Sequence, residues 1–127
     1  MAINRSELRI GSQIQHGRIL ELYQDHALVE CMNGSRPQMK YKDMEPLPLT
    51  TGYLLIAGFE RLGAAWHRPG MMLLEEDRGF FMRLGANEYV TRDPILSVHR
   101  LQNLYHDVTG QILPSNIDER DTITDQN

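Results

Sequence analysis

Two prolines spaced i and i+2, in Glu45-Pro46-Leu47-Pro48-Leu49-Thr50, constrain this chain more than any other feature. Each ring fixes its own φ near about −65° and forces the residue before it into extended geometry. No helix or central strand runs through such a segment. The chain therefore divides there, and the apolar Leu47 and Leu49 argue that the divider packs and does not swing free. We read residues 1–49 as a small β-rich subdomain, 50–113 as an α+β subdomain packed against it, and 114–127 as an acidic polar tail. At 127 residues the whole is one domain's worth of chain.

Before the prolines the pattern alternates. Leu8, Ile10 and Ile14 fall on one face of an expected strand over 8–16, and further strands are expected at 18–24, 26–32 and 38–42. Gly17, Asp25 and Asn33-Gly34 supply the turns, the last because both residues tolerate φ > 0. Short strands joined by tight turns predict a small curled antiparallel sheet, with a spacing compatible with an SH3-like barrel.

After the prolines, Thr50 or Thr51 can cap a helix whose body is Tyr53 to Ala57 and whose stop is Gly58. Being apolar on most sides, this helix is expected between two layers. Strands follow at 59–62, 65–68, 71–76, 80–84 and 88–92, with Asp77-Arg78-Gly79 closing a hairpin and Asp93-Pro94 ending the run. A second helix is expected from Leu96 to Thr109, with Ser97 as N-cap and Gly110 just past its end. At about 100° per residue, Leu101, Leu104, Tyr105 and Val108 share one side, and His99, Arg100, Gln102, Asn103, His106 and Asp107 the other. Beyond Leu113 only Ile117 and Ile123 are available to bury, a composition expected to be disordered on its own. The expected fold class is α+β: an N-terminal antiparallel sheet, a connecting helix, a second antiparallel sheet and an amphipathic C-terminal helix.

Three motifs, in order and at matching spacing over residues 7–113, resemble a family of short uncharacterised proteins from Bacteroidetes genomes, their phages and mobile elements. They are Glu7-Leu8-Arg9-Ile10-Gly11, then Glu45 to Thr50 with Leu54-Leu55 and Gly58-Phe59-Glu60, and finally Val98 to Tyr105 with Thr109-Gly110. Ser12, Gly52-Tyr53 and Gln111-Ile112 depart from the family's usual residues. The resemblance implies an accessory protein of a phage or mobile element acting in the bacterial cytoplasm, and it lends no activity or ligand.

Charge and chemistry narrow the function further. Thirteen basic against seventeen acidic residues give a net charge of −4, and residues 111–127 alone hold four acids against Arg120. Non-specific nucleic-acid binding draws on a basic patch, so this balance does not favour it. No apolar run approaches the ~20 residues of a membrane span, and the polar start Ile3 to Glu7 does not read as a secretory signal. A single cysteine, Cys31, makes neither an internal disulfide nor a thiolate cage. His99 and His106 share a helix side but stand ~10 Å apart along the axis, too far for one metal ion. Glu75, Glu76 and Asp77 diverge at a hairpin tip, and no phosphate loop or nucleophile elbow is present. These readings assign no catalytic, cofactor or metal residue.

The remaining candidates are interaction surfaces. Trp66, His67 and Arg68 place the only tryptophan beside a cation, a pairing enriched at protein interfaces and equally suited to closing a core. Arg36 and Tyr41 stand where the edge of the first sheet is expected. His99, Arg100, Asn103 and His106 make up much of the polar side of the second helix. The leading expectation is a non-enzymatic protein–protein interaction module with an unidentified protein partner. Nucleic-acid binding through arginine and aromatic residues is the alternative, and an enzyme or small-molecule-sequestering protein the third. Homo-oligomerisation stays open.

Overall fold

Each half of the chain closes its own antiparallel sheet, and one helix touches both. The computed structural model describes residues 3–83, 91 and 93–113. The first sheet is a meander of β1 (Gln13–Ile14), β2 (Gly17–Leu22), β3 (His26–Glu30) and β4 (Gln38–Lys40), in the order β1-β2-β3-β4. After α1 (Thr51–Ile56) comes a second meander, β5 (Glu60–Leu62), β6 (Ala65–Arg68), β7 (Met71–Glu76) and β8 (Gly79–Arg83), in the order β5-β6-β7-β8. Helix α2 (Val98–Thr109) completes an α+β fold.

The expected first strand shrinks to two residues. A 3-10 turn at Arg5–Glu7 and a tight turn at Ile10-Gly11 replace it. Ser12 drives the difference: its Oγ accepts from the Arg9 amide at 2.9 Å, and its own amide donates to the Arg9 carbonyl at 3.0 Å. That local ring competes with a sheet ladder. Leu8 and Ile14 still point into the core, but Ile10 is thrown outward and is 71% exposed. The expected strand at 38–42 likewise ends at Lys40, because Tyr41–Asp43 turns to bury the Tyr41 ring and lets its hydroxyl donate to the Tyr23 carbonyl at 2.6 Å.

Gly17 is obligatory where β2 begins. A Cβ there would lie 2.1 Å from the Glu30 carbonyl oxygen, because the backbone at the end of β3 passes directly against Gly17 and leaves no room for a side chain.

α1 forms as the capping residues suggest. The Thr50 hydroxyl accepts from the Tyr53 amide at 3.1 Å, and Gly58 leaves the helix at φ 93°. With six residues it buries Tyr53 and Leu54 but leaves Leu55 57% exposed, so one side, and not most of the surface, is covered.

The four strands of the second sheet fall where the sequence places them, although β8 buries Phe80, Phe81 and Met82 in succession. Cross-strand neighbours Trp66, Leu73 and Met82 line one face and form a core with Phe59, Leu101 and Tyr105. The strand expected at 88–92 and the tail from 114 lie outside the described residues. Of that strand only Thr91 is described, and its hydroxyl accepts from the Met82 amide at 3.1 Å.

α2 starts two residues later than expected. Its approach is held extended: Ile95 bridges Phe80, and Ser97 bridges Pro48. The Leu49 amide donates to the Leu96 carbonyl and the Val98 amide to the Leu47 carbonyl, each at 2.9 Å. The proline segment is thus a short strand-like rail against which the helix is seated. Gly110 ends α2 at φ 74°, its amide donating to the His106 carbonyl. Two separate apolar clusters result, one per half.

Candidate functional site

The polar side of α2 does not face water throughout. His99 is 2% and Gln102 8% exposed, and both meet the N-terminal segment from Glu7 to Gln13. The seam is built from directional bonds. Arg100 Nε donates to Glu7 Oε1 at 2.9 Å, and His99 Nε2 lies 3.3 Å from the same oxygen. Asn103 Nδ2 donates to the Glu7 carbonyl at 2.6 Å. The Gln13 amide donates to Gln102 Oε1 at 2.8 Å, and Gln102 Nε2 reaches the Gly11 carbonyl at 3.4 Å. Arg9 closes the row with a two-pronged pair to Asp107 at 2.9 and 3.1 Å. The three motifs singled out in the sequence therefore meet one another: the Glu7–Gly11 segment and the proline rail both grip α2.

Electrostatics follow from these contacts. Arg100, and then His99, hold the Glu7 carboxyl below its ordinary range, against an opposing push from burial. Burial lowers the His99 pKa, and the Glu7 carboxylate opposes that shift without cancelling it. A carboxylate only accepts, so the neutral His99 ring carries its proton on Nε2. Its Nδ1 is buried and has no hydrogen-bond partner among the described residues.

Where the seam ends a cleft opens. It encloses about 490 Å³, within the size range of ligand sites. One wall comes from the Arg9–Ser12 turn and β2, the other from Gln102, Asn103 and His106 of α2 with Ile112 and Leu113 beyond it. Leu113 belongs to the second core, whereas Ile10 and Ile112 project as aliphatic edges, 71% and 81% exposed. Single exposed apolar side chains are common on protein surfaces; here two of them border the same concave site.

The candidate residues distribute unevenly over this geometry. Asn103 and His106 line the cleft, and His99 and Arg100 belong to the seam. Arg36 lies in the connection between β3 and β4, its guanidinium 3.2 Å from Glu30 Oε2, while Arg18 in the cleft wall holds Glu30 Oε1 at 2.8 Å. Tyr41 is buried in the first core. Trp66 is 1% exposed, donates from Nε1 to Glu75 Oε1 at 2.9 Å and carries the Arg61 guanidinium 5.2 Å from its ring centroid. Arg68 is a clamp inside the second half: Nε donates to the Tyr105 hydroxyl at 2.9 Å and Nη1 to the Ala57 carbonyl at 2.7 Å, which satisfies the C-terminal end of α1. His67 is half-buried on the other face of β6. The structure therefore does not bring Trp66, His67 and Arg68 together with the helix residues into one surface.

Arg9, Ile10, Arg18, Leu20 and Ile112 were not among the sequence candidates. Their signal in the sequence is slight: Arg9 and Ile10 fall within the Glu7–Gly11 motif, and Ile112 follows the stop of the second helix at Gly110. His26 stacks on Tyr23 with ring centroids 4.9 Å apart, and Cys31 packs half-buried against the first core. Among the described residues no three His, Cys, Asp or Glu side chains gather as a metal site, and no helix is long and apolar enough to cross a membrane. The chain matches no family model, no curated protein and no solved structure.

Proposed function

We propose that this chain is a non-enzymatic protein–protein interaction module whose docking site is the cleft at the end of the seam. The observation that carries the reading is the pair of exposed aliphatic edges, Ile10 and Ile112, flanking a concave site of about 490 Å³. A buried aliphatic anchor in such a pocket is how protein interfaces concentrate their affinity. The seam supports the reading from the other side. Gln102 and Asn103 of one wall bond the Gln13 amide and the Glu7 carbonyl beside the other, which holds the walls together before binding and limits the freedom lost on it. The resemblance to proteins of phages and mobile elements gives the setting: an accessory protein acting inside a bacterial cell.

The test is affinity capture from bacterial lysate with the tagged full chain, run with and without nuclease and repeated with Ile112→Asp. Ile112 is on the surface, so the substitution leaves the fold standing. A discrete protein that survives nuclease and is lost with Ile112→Asp is the expected result. Capture that disappears with nuclease would favour the nucleic-acid alternative. Capture indifferent to Ile112→Asp would remove the cleft from the proposal.

A further inference from the structure

Leu113 belongs to two places at once. It is packed in the second core, 1% exposed, and it also lines the cleft. Residues 114–127 therefore set out from the wall of the docking site itself. Pro114 comes next and favours extended chain at that exit. Among residues 114–127 only Ile117 and Ile123 carry a large aliphatic side chain. Ile117 stands four residues beyond Leu113, so even fully extended chain holds it within about 14 Å of the lining. A side chain tethered that closely meets its site at an effective concentration on the order of millimolar. Ile123 closes a longer loop and does so at a higher entropic cost. The cleft offers the matching surface: Ile10 and Ile112 are its exposed rims, and Leu20 is half-buried in its wall.

We infer that Ile117 folds back into this cleft, between Ile10 and Ile112, and that the tail is a tethered competitor of the protein partner. The occupant in the free chain is then a segment of the chain itself, held by one branched aliphatic side chain. The competition rests on the docking reading above and adds its regulation. A partner engages by displacing Ile117, so its apparent affinity scales with the fraction of molecules whose cleft is free. An event that draws the tail away raises that affinity without altering the cleft.

Nuclear magnetic resonance of the full chain tests the seating directly. The Ile117 methyls should show contacts to those of Ile10 and Ile112. Ile117→Asp should shift the backbone amides of Ile10, Leu20 and Ile112, whereas Ile123→Asp should leave them in place. A synthetic peptide of residues 114–121 then probes the freed site. It should shift the same three amides and bind Ile117→Asp about tenfold more tightly than the unaltered chain, the ratio for a cleft free in about one molecule of ten. Absence of the Ile117 contacts in the unaltered chain overturns the seating without recourse to a variant. Amide shifts that follow Ile123→Asp instead, or equal binding of the peptide to both chains, overturn it too. Contacts found only between differently labelled copies assign the occupant to a second chain and also overturn it. None of these failures touches the docking reading, which stands or falls on capture with Ile112→Asp. A seated tail with partner capture unchanged by Ile117→Asp overturns the competition alone.

Discussion

Glu7 Oε1 lies 3.3 Å from Nε2 of His99, and this contact joins residues 92 positions apart across the seam between the two halves. His99 is buried and its pKa is lowered, so the folded state takes up its proton less readily than the unfolded chain does. Its stabilisation is complete above the ordinary histidine value of 6.5 and is lost as pH falls below it towards the folded value. Glu7, also lowered, adds a second loss that begins only below 4.5. Thermal unfolding should show a melting temperature that declines from about pH 6.5 downward, with the upper part of the decline absent in His99→Gln. An unchanged upper limb in that variant would place the titrating group elsewhere.

Arg68 joins α1, β6 and α2 through the Ala57 carbonyl and the Tyr105 hydroxyl. Arg68→Ala leaves both without their donor and should cost about 2–4 kcal/mol in urea unfolding, since charge-assisted bonds are among the strong ones. Arg68→Lys should recover only part of that, because a point charge cannot reach both acceptors in the same fork. Full recovery by lysine would reduce the role to charge alone.

The close backbone approach at Gly17 should tolerate no side chain. Gly17→Ala puts a Cβ 2.1 Å from backbone oxygen and should destabilise by about 3 kcal/mol or more. Gly34→Ala makes the informative contrast. Its φ is 88°, but no atom lies within 4 Å, so only the backbone strain of about 1–2 kcal/mol applies. Chemical denaturation of the two variants should rank them in that order.

Within the seam, burial ranks the bonds. Gln102→Leu strips the acceptor from the half-buried Gln13 amide and should cost about 1–3 kcal/mol. Arg9→Ala breaks the two-pronged pair with Asp107, yet both partners are wet, and the loss should stay below about 1 kcal/mol. Equal losses would mean that the exposed pair is stronger than its setting allows.

Trp66, the only tryptophan, reports on the second half alone. Because α2 is gripped by Glu7, Arg9 and Gln13 as well as by the second core, the Trp66 fluorescence and far-ultraviolet circular dichroism should give coincident unfolding midpoints. Separated midpoints would show that the halves unfold independently.

Much of this architecture was legible in the sequence. Period-two alternation, turn glycines and the Thr50 cap located seven of the eight strands to within a few residues, together with both helices, since these signals act locally. The eighth, β1, was obscured because Ser12 offers the backbone a competing turn, and Ile10 then leaves the face that its spacing suggested. The seam was hidden for a different reason. Hydrophobic periodicity separates apolar from polar residues, and it cannot separate a polar residue facing water from one facing a distant backbone group. His99 and Gln102 are of the second kind. The cleft has no sequence signature because its walls come from the turn at Arg9–Ser12, from β2 and from the end of α2.

The seam also sets how the molecule can change. Its two oily interiors never merge, and what lies between their carriers is chiefly a row of amide, carboxylate and guanidinium contacts. Water can stand in for each of these at a net cost of about 0.5–1.5 kcal/mol, where parting two greasy faces would cost that much for every one or two methylene groups. Changing the angle between the halves would therefore break these directional contacts and leave both interiors intact. Altering the width of the cleft requires no redesign of what keeps each half folded.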